Sequence, residues 1–214
     1  MSDLPDRIVT ALGSWSDRNA CRRRMAPELS YGRQFGPPPP DARTGAVAML
    51  LYPHDGQWHL PLTIRPPGIS RHGGQISLPG GMTEPGEPSE ATARRELNEE
   101  LGVQEGIRWL GRFSEFFVYV SNIRVAPWIA AVDRRPVWVP DPGEVTAVIE
   151  LPVTVLLDAD AAERFLVNYG PLTLKAPCYR SGHHLIWGAT AMMLAELAGL
   201  LRTVAETGCV GRNT

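Results

Sequence analysis

The sequence predicts an α+β fold, a mixed β-sheet sandwiched between α-helices, on three observations. The run GAVAMLLY at 45–52 is unbroken in its apolar character, as a strand buried on both faces requires. Further short strand-like runs follow it, separated by Gly, Pro and Asp. Among them stand two helical stretches of different character, one carboxylate-rich and one apolar on most sides. A chain of 214 residues fits one substantial domain, and the raised Gly (21) and Pro (20) content indicates many loops.

Residues 1–41 read as an N-terminal extension with a Pro-rich linker. They hold a short helix around Asp6 to Leu12, a basic patch at Arg22–Arg24 and an extended Pro37–Pro40 run. The patch reads as solvated surface, with an anionic ligand as the alternative. The compact domain is expected over 42–205, with 206–214 as a C-terminal tail. A strand over 45–52, the turn-rich PHDGQ and a strand at Trp58–Ile64 make a hairpin. A helix follows from Ser89, as N-cap, to Leu101, where Gly102 supplies the stop. Strands are expected at Ile107–Phe113, Arg124–Val132 and Val145–Leu151, and a packing helix at Trp187–Thr203 closes the core.

Formal net charge is -2, so there is no positive field to hold DNA or RNA by counterion release, and no nucleic acid partner is expected. Cys21, Cys178 and Cys209 are odd in number and in no CxxC pair, which fits neither a disulfide framework nor a zinc site. The start of the chain lacks the pattern of a secretory signal, and no stretch reads as the roughly 20 apolar residues of a membrane span. A cytoplasmic, reducing location without membrane partners is the expectation.

The densest chemistry lies where GMTEPGE at 81–87 leads into RRELNEELGV at 94–103. On a helix, Glu96, Glu99 and Glu100 stand at i, i+3 and i+4, so their side chains converge. Like charges so placed repel by about 0.2–0.5 kcal/mol per pair unless a cation lies among them. Arg95 offsets part of this by pairing with Glu99 at i+4. Oxygen ligands with room for water suit Mg2+ or Mn2+, which also accept phosphate oxygens. Ala93, Leu97 and Leu101 form an apolar stripe that anchors the helix to a sheet, Gly80 and Gly81 permit close backbone approach, and Glu87 adds a fourth carboxylate.

The spacing Gly81, five residues, Glu87, seven residues, Arg95-Glu96-Leu97, one residue, Glu99-Glu100, one residue, Gly102-Val103 resembles the complete Nudix box. That resemblance implies the Nudix fold and hydrolysis of a diphosphate linkage assisted by Mg2+ or Mn2+. It implies Glu96, Glu99 and Glu100 as metal ligands, the Gly80 carbonyl completing the set, Arg95 orienting the glutamates, and Glu87 supporting the loop or binding metal through water. The general base is Glu99 in the first reading and Glu144, from the DPGEV segment at 141–145, in the second.

Upstream, LTIRPPGISRHGGQISLPGG at 62–81 resembles the motif accompanying the box in coenzyme A diphosphatases. Arg65, His72, Gly74, Gln75 and the PGG ending match. Pro66 and Ser70 depart from it, with Arg71 one place after the expected arginine, and Leu78 replaces a phenylalanine. The resemblance spans about Ala42 to Leu201 and includes looser matches at FVYVSNIRVAPWI (117–129), Glu144-Val145, Leu151–Val153 and IWGATA (186–191). It implies a small-molecule, coenzyme A-like nucleotide substrate read by Arg65, Arg71, His72 and Gln75, and by analogy a homodimer. The products would be 4'-phosphopantetheine and adenosine 3',5'-bisphosphate. The departures keep open other nucleoside diphosphate derivatives such as ADP-ribose, nucleotide sugars, NADH or dinucleoside polyphosphates. A protein that binds nucleotide without cutting it is a third reading. His183 and His184 read as ordering a loop or as doing chemistry.

Overall fold

The computed structural model describes residues 3–28, 36–68, 74–158, 163–169 and 172–210. They divide into two compact units, Gly32–Pro152 and the pair of segments Met1–Tyr31 and Val153–Thr214.

The Gly32–Pro152 unit is organised around β1, Arg43–His54. It turns at Asp55 and Gly56, both at positive φ as a tight hairpin requires, into β2, Gln57–Ile64. β3, Ile76–Ser77, pairs with β2, and β4, Gly80–Met82, pairs antiparallel with β1. α3, Ser89–Leu101, follows. β5, Arg108–Arg112, and β6, Phe116–Val118, are both antiparallel to β7, Ile123–Ala131, which runs parallel to β1. β8, Ala147–Pro152, closes on β2. The sheet is therefore mixed, with order β3-β2-β1-β7-β5 along its main path, and the α+β class is as predicted.

β1 is buried on both faces, as its unbroken apolar run requires. Ala46, Ala48, Leu50 and Tyr52 join the cluster that holds Ala93, Leu97 and Leu101 of α3, while Met49 and Leu51, of opposite parity, are also fully buried. The α3 stripe fixes the helix on β1, β4 and β7. Full burial of each leucine contributes roughly 1.5–3 kcal/mol. Gly102 ends the helix in the left-handed conformation at φ 71°, its N–H donating to the Asn98 carbonyl at 2.7 Å. The start differs from expectation. Pro88 is the N-cap residue and Ser89 the first helical one, and no side chain caps the helix. The Ser89 hydroxyl instead accepts a hydrogen bond from the Trp128 indole at 3.1 Å.

The other unit contains α1, Leu4–Ser14, α2, Arg18–Arg24, and the short α4, Val153–Leu157. An antiparallel sheet of β9 (Glu163–Tyr169), β10 (Leu172–Ser181) and β11 (His184–Trp187) precedes α5, Gly188–Val210. α5 packs against α1, α2, α4, β10 and β11. Two sequence expectations need correction. Arg22 of the basic patch is not solvated: it is buried and its guanidinium meets the fully buried Glu196 of α5 at 2.6 and 2.7 Å, whereas Arg23 and Arg24 stay exposed. α5, moreover, is long and apolar enough over Gly188–Glu206 to cross a membrane by length and composition, but 72% of that stretch is buried inside the protein, as befits a core helix. Gly199 lets the helices approach, since a Cβ there would meet Cys21 Sγ and the Trp15 ring.

Candidate active site

The Arg95 guanidinium is the hub of the carboxylate helix. Nε and Nη2 donate to Glu87 at 3.1 and 3.2 Å, Nη1 to Glu96 at 2.9 Å and to Glu99 at 2.8 Å, and Nη2 also to the Met82 carbonyl at 2.9 Å. The Arg95–Glu99 pair is the i,i+4 pair that the spacing predicts. Glu87 further accepts from the Thr92 hydroxyl at 2.8 Å and the Glu84 N–H at 3.1 Å. Hydrogen bonds from Arg95, above all, pull its pKa down to about 2. Glu87 thus braces the loop that enters α3.

Glu96 and Glu100 lie on the inner side of the helix. Gly81 gives Glu96 its room, because any Cβ at 81 would collide with the Glu96 carboxylate. The Gly80 N–H donates to Glu100 Oε2 at 3.2 Å, while Oε1 is buried without a hydrogen-bond donor among the described residues and is approached at 3.6 Å by Arg65 Nη2. Burial dominates the electrostatics. It raises the Glu96 pKa against the pull of Arg95, and lifts that of Glu100 to about 8 against Arg65 and the Gly80 N–H.

Glu144 completes the cluster from the connection between β7 and β8. The Val139 and Asp141 N–H groups donate to the Leu101 and Glu100 carbonyls at 3.0 and 3.2 Å, satisfying acceptors that the end of α3 leaves open. Asp141 then receives the N–H groups of Gly143, Glu144 and Val145 in a tight turn, and Val145 is buried. Carboxylate oxygens of Glu96, Glu100 and Glu144 all lie within 4.8 Å of one another.

The three glutamates that the spacing groups together meet two neighbours, Glu144 and Arg95, with Glu96 and Glu99 both accepting from Arg95 Nη1. Glu96 and Glu100 turn toward Glu144, whereas Glu99 is held by Arg95 with its side chain about half exposed, at 48%. Helical geometry accounts for this, since Arg95 stands one turn before Glu99 and captures it. Of the residues that the sequence suggests for substrate binding, Arg65 reaches the cluster, and its N–H donates to the Gln75 carbonyl at 3.1 Å across the loop. Arg71 and His72 lie outside the described residues. His183 and His184 fall at the turn between β10 and β11, their rings 3.8 Å apart. A cleft of about 720 Å³ along α3 shares Glu87 and Arg95 with the site but is not lined by Glu100 or Glu144. Sequence reasoning missed a group that ties the β7–β8 connection to β1 and β8, namely Tyr52, Arg135 and Glu150. Arg135 binds Glu150 through two nitrogens, at 2.5 and 2.7 Å, and nothing in their separation along the chain signals the pair.

A cation fits this arrangement. Three carboxylates crowd together, two of them buried, and among the described residues the Glu100 Oε1 atom has no hydrogen-bond donor; hard divalent ions take such oxygen-rich sets.

The chain is similar to several known proteins. Nudix hydrolase 15, mitochondrial, of Arabidopsis thaliana is 30% identical over 172 residues, 74% of this chain, which spans 58% of that relative's length. The peroxisomal coenzyme A diphosphatase ndx-8 of Caenorhabditis elegans is 30% identical over 178 residues, 79% of this chain and 74% of that protein. A MutT/nudix family protein from Enterococcus faecalis, 17% identical, shares the fold with a TM-score of 0.53 over 90% of this chain and 75% of its own. Residues 42–167 match the NUDIX domain, and with it the chain belongs to the Nudix family.

Proposed function

We propose that the protein is a divalent-metal-dependent hydrolase that cuts the diphosphate of coenzyme A or an acyl derivative, giving 4'-phosphopantetheine and adenosine 3',5'-bisphosphate. The observation that carries the hydrolytic reading is the cluster that Glu96 and Glu100, on the helix bearing the Nudix spacing, form with Glu144. Coenzyme A as substrate is supported by the motif at 62–81 and by the relative named a coenzyme A diphosphatase.

In this reading Glu96, Glu100 and Glu144 hold Mg2+ or Mn2+, with Glu99, Glu87 and the Gly80 carbonyl as further candidates. When bound, such an ion lowers the pKa of water and neutralises charge on phosphate oxygens. Arg95 fixes the carboxylates of Glu87, Glu96 and Glu99 relative to one another, so little reorganisation accompanies the reaction. The attacking water gives its proton to Glu144 or Glu99. The first is favoured by its nearness to Glu96 and Glu100, the second by its half-exposed position on Arg95. Arg65, with Arg71, His72 and Gln75, reads the phosphates, Arg being suited to bidentate contact. Cys21 and Cys178 are free thiols, which suits a reducing compartment such as the cytoplasm.

Product analysis tests the substrate. The purified protein is incubated with Mn2+ or Mg2+ and, in parallel, coenzyme A, acetyl-coenzyme A, ADP-ribose, NADH and a dinucleoside polyphosphate, with Glu99→Gln as control. Cleavage of the coenzyme A compounds alone supports the reading. Preference for another compound, which the Pro66 and Ser70 departures would explain, discards coenzyme A and keeps the diphosphate chemistry. No cleavage of any compound, with nucleotide still bound, replaces the enzyme by a binding protein.

A further inference from the structure

We propose that Arg135, Glu150 and Tyr52 form a positioning lock that holds the β7–β8 connection, and with it Glu144, against the buried carboxylates of α3. The inference rests on the reading of Glu144 as part of the hydrolytic site. Its starting point is a mechanical problem. Glu144 is brought beside the buried Glu96 and Glu100 from an exposed connection, and carboxylates so placed repel one another whenever they are charged. A backbone turn alone is a weak restraint on a surface connection. Something must hold it before a cation arrives.

The connection is tied along its length. Val132 N–H still donates to the Leu51 carbonyl at 3.0 Å, continuing the pairing of β7 with β1. Arg135 then grips Glu150 of β8 through Nε and Nη2, and the Tyr52 hydroxyl of β1 donates to the same carboxylate at 2.8 Å. The Trp138 ring stands edge-on to Tyr52 with centroids 5.2 Å apart. Beyond it come the bonds of Val139 and Asp141 to the end of α3, and finally the Thr146 N–H to the Ile64 carbonyl at 2.8 Å. Tyr52 is fully buried, its ring against those of His59 and Trp138, contacts that phenylalanine would keep; among the described residues its hydroxyl adds the bond to Glu150. Glu150 thus joins β1, β8 and the beginning of the connection, leaving Glu144 little freedom.

The lock acts through Glu144 and touches no reacting atom, so its removal should lower kcat and spare KM. With Arg135 42% exposed, the effect is moderate. Arg135→Ala is expected to lower kcat on coenzyme A with Mn2+ roughly three- to tenfold while KM stays within about twofold. In the same variant, amide hydrogen exchange rises over residues 139–146 and not over the β1–β2 hairpin. The exchanged pair Arg135→Glu with Glu150→Arg recovers much of both losses, and Tyr52→Phe gives a smaller shift in the same direction. Arg180→Ala, which removes a surface pair with Glu163, changes neither and serves as control. Unaltered exchange over 139–146 in Arg135→Ala overturns the lock, as does faster exchange with unaltered kcat. Glu144→Gln separates this from the underlying reading: full activity there removes Glu144 from the chemistry, whatever the exchange pattern shows.

Discussion

Two arginine–glutamate constellations in this chain differ in kind. In one, Arg22 meets Glu196 with both side chains sealed, at 5% and 0% exposure, and one charge answers the other. In the other, Arg95 and Arg65 face Glu87, Glu96, Glu99, Glu100 and Glu144, so carboxylates outnumber guanidiniums. A balanced buried pair is a structural joint, whose loss costs stability. An unbalanced one is a place that a cation or a proton must complete, and its loss costs function.

The contrast can be broken at either end. The largest effect is expected from Arg22→Met, which leaves Glu196 buried without its guanidinium. Urea unfolding should show a loss of about 3–5 kcal/mol, with Mn2+ binding by the folded protein unchanged. Glu100→Gln should reverse the pattern, lowering turnover roughly a hundredfold while the urea midpoint of the metal-free protein holds or rises, since a buried carboxylate is no longer forced on the fold. Gly81→Ala should cost roughly tenfold in turnover, because the new Cβ displaces the Glu96 carboxylate; circular dichroism should stay native.

The smallest effect concerns pH. Arg135, first, and the Tyr52 hydroxyl hold the Glu150 pKa down at about 2 from the ordinary 4.5. A carboxylate with a depressed folded pKa contributes stability above its unfolded value and loses it as pH falls. The stability gap between the wild type and Arg135→Ala should therefore be full above pH 4.5 and close as pH falls toward 2, as denaturant titrations across that window would record.

Much of this was legible in the sequence because it depends on local periodicity. The apolar run of β1, the Ala93–Leu97–Leu101 stripe and the Gly102 stop specify α3 and its seat on the sheet, and the i,i+4 rule gives the Arg95–Glu99 pair. What tertiary contact decides was not legible. Ser89 was read as a cap, yet its hydroxyl serves Trp128, far along the chain. Arg22 was read as surface because nothing near it in sequence reveals Glu196. The β9–β11 sheet escaped because Lys175, Pro177 and Cys178 interrupt any clean alternation in β10. Glu144 was found as a loop acid, but its meeting with Glu96 and Glu100 depends on the bonds of Val139 and Asp141 to the end of α3.

The central claim is that the surplus of carboxylate on α3 is a cation site. Calorimetric titration of Mn2+ into the metal-free wild type, Glu100→Gln and Arg22→Met tests it most directly. The account expects saturable binding to the wild type, at least about tenfold weaker binding to Glu100→Gln, and wild-type affinity in Arg22→Met. Equal affinity in Glu100→Gln and the wild type, or no binding to the wild type, would contradict it.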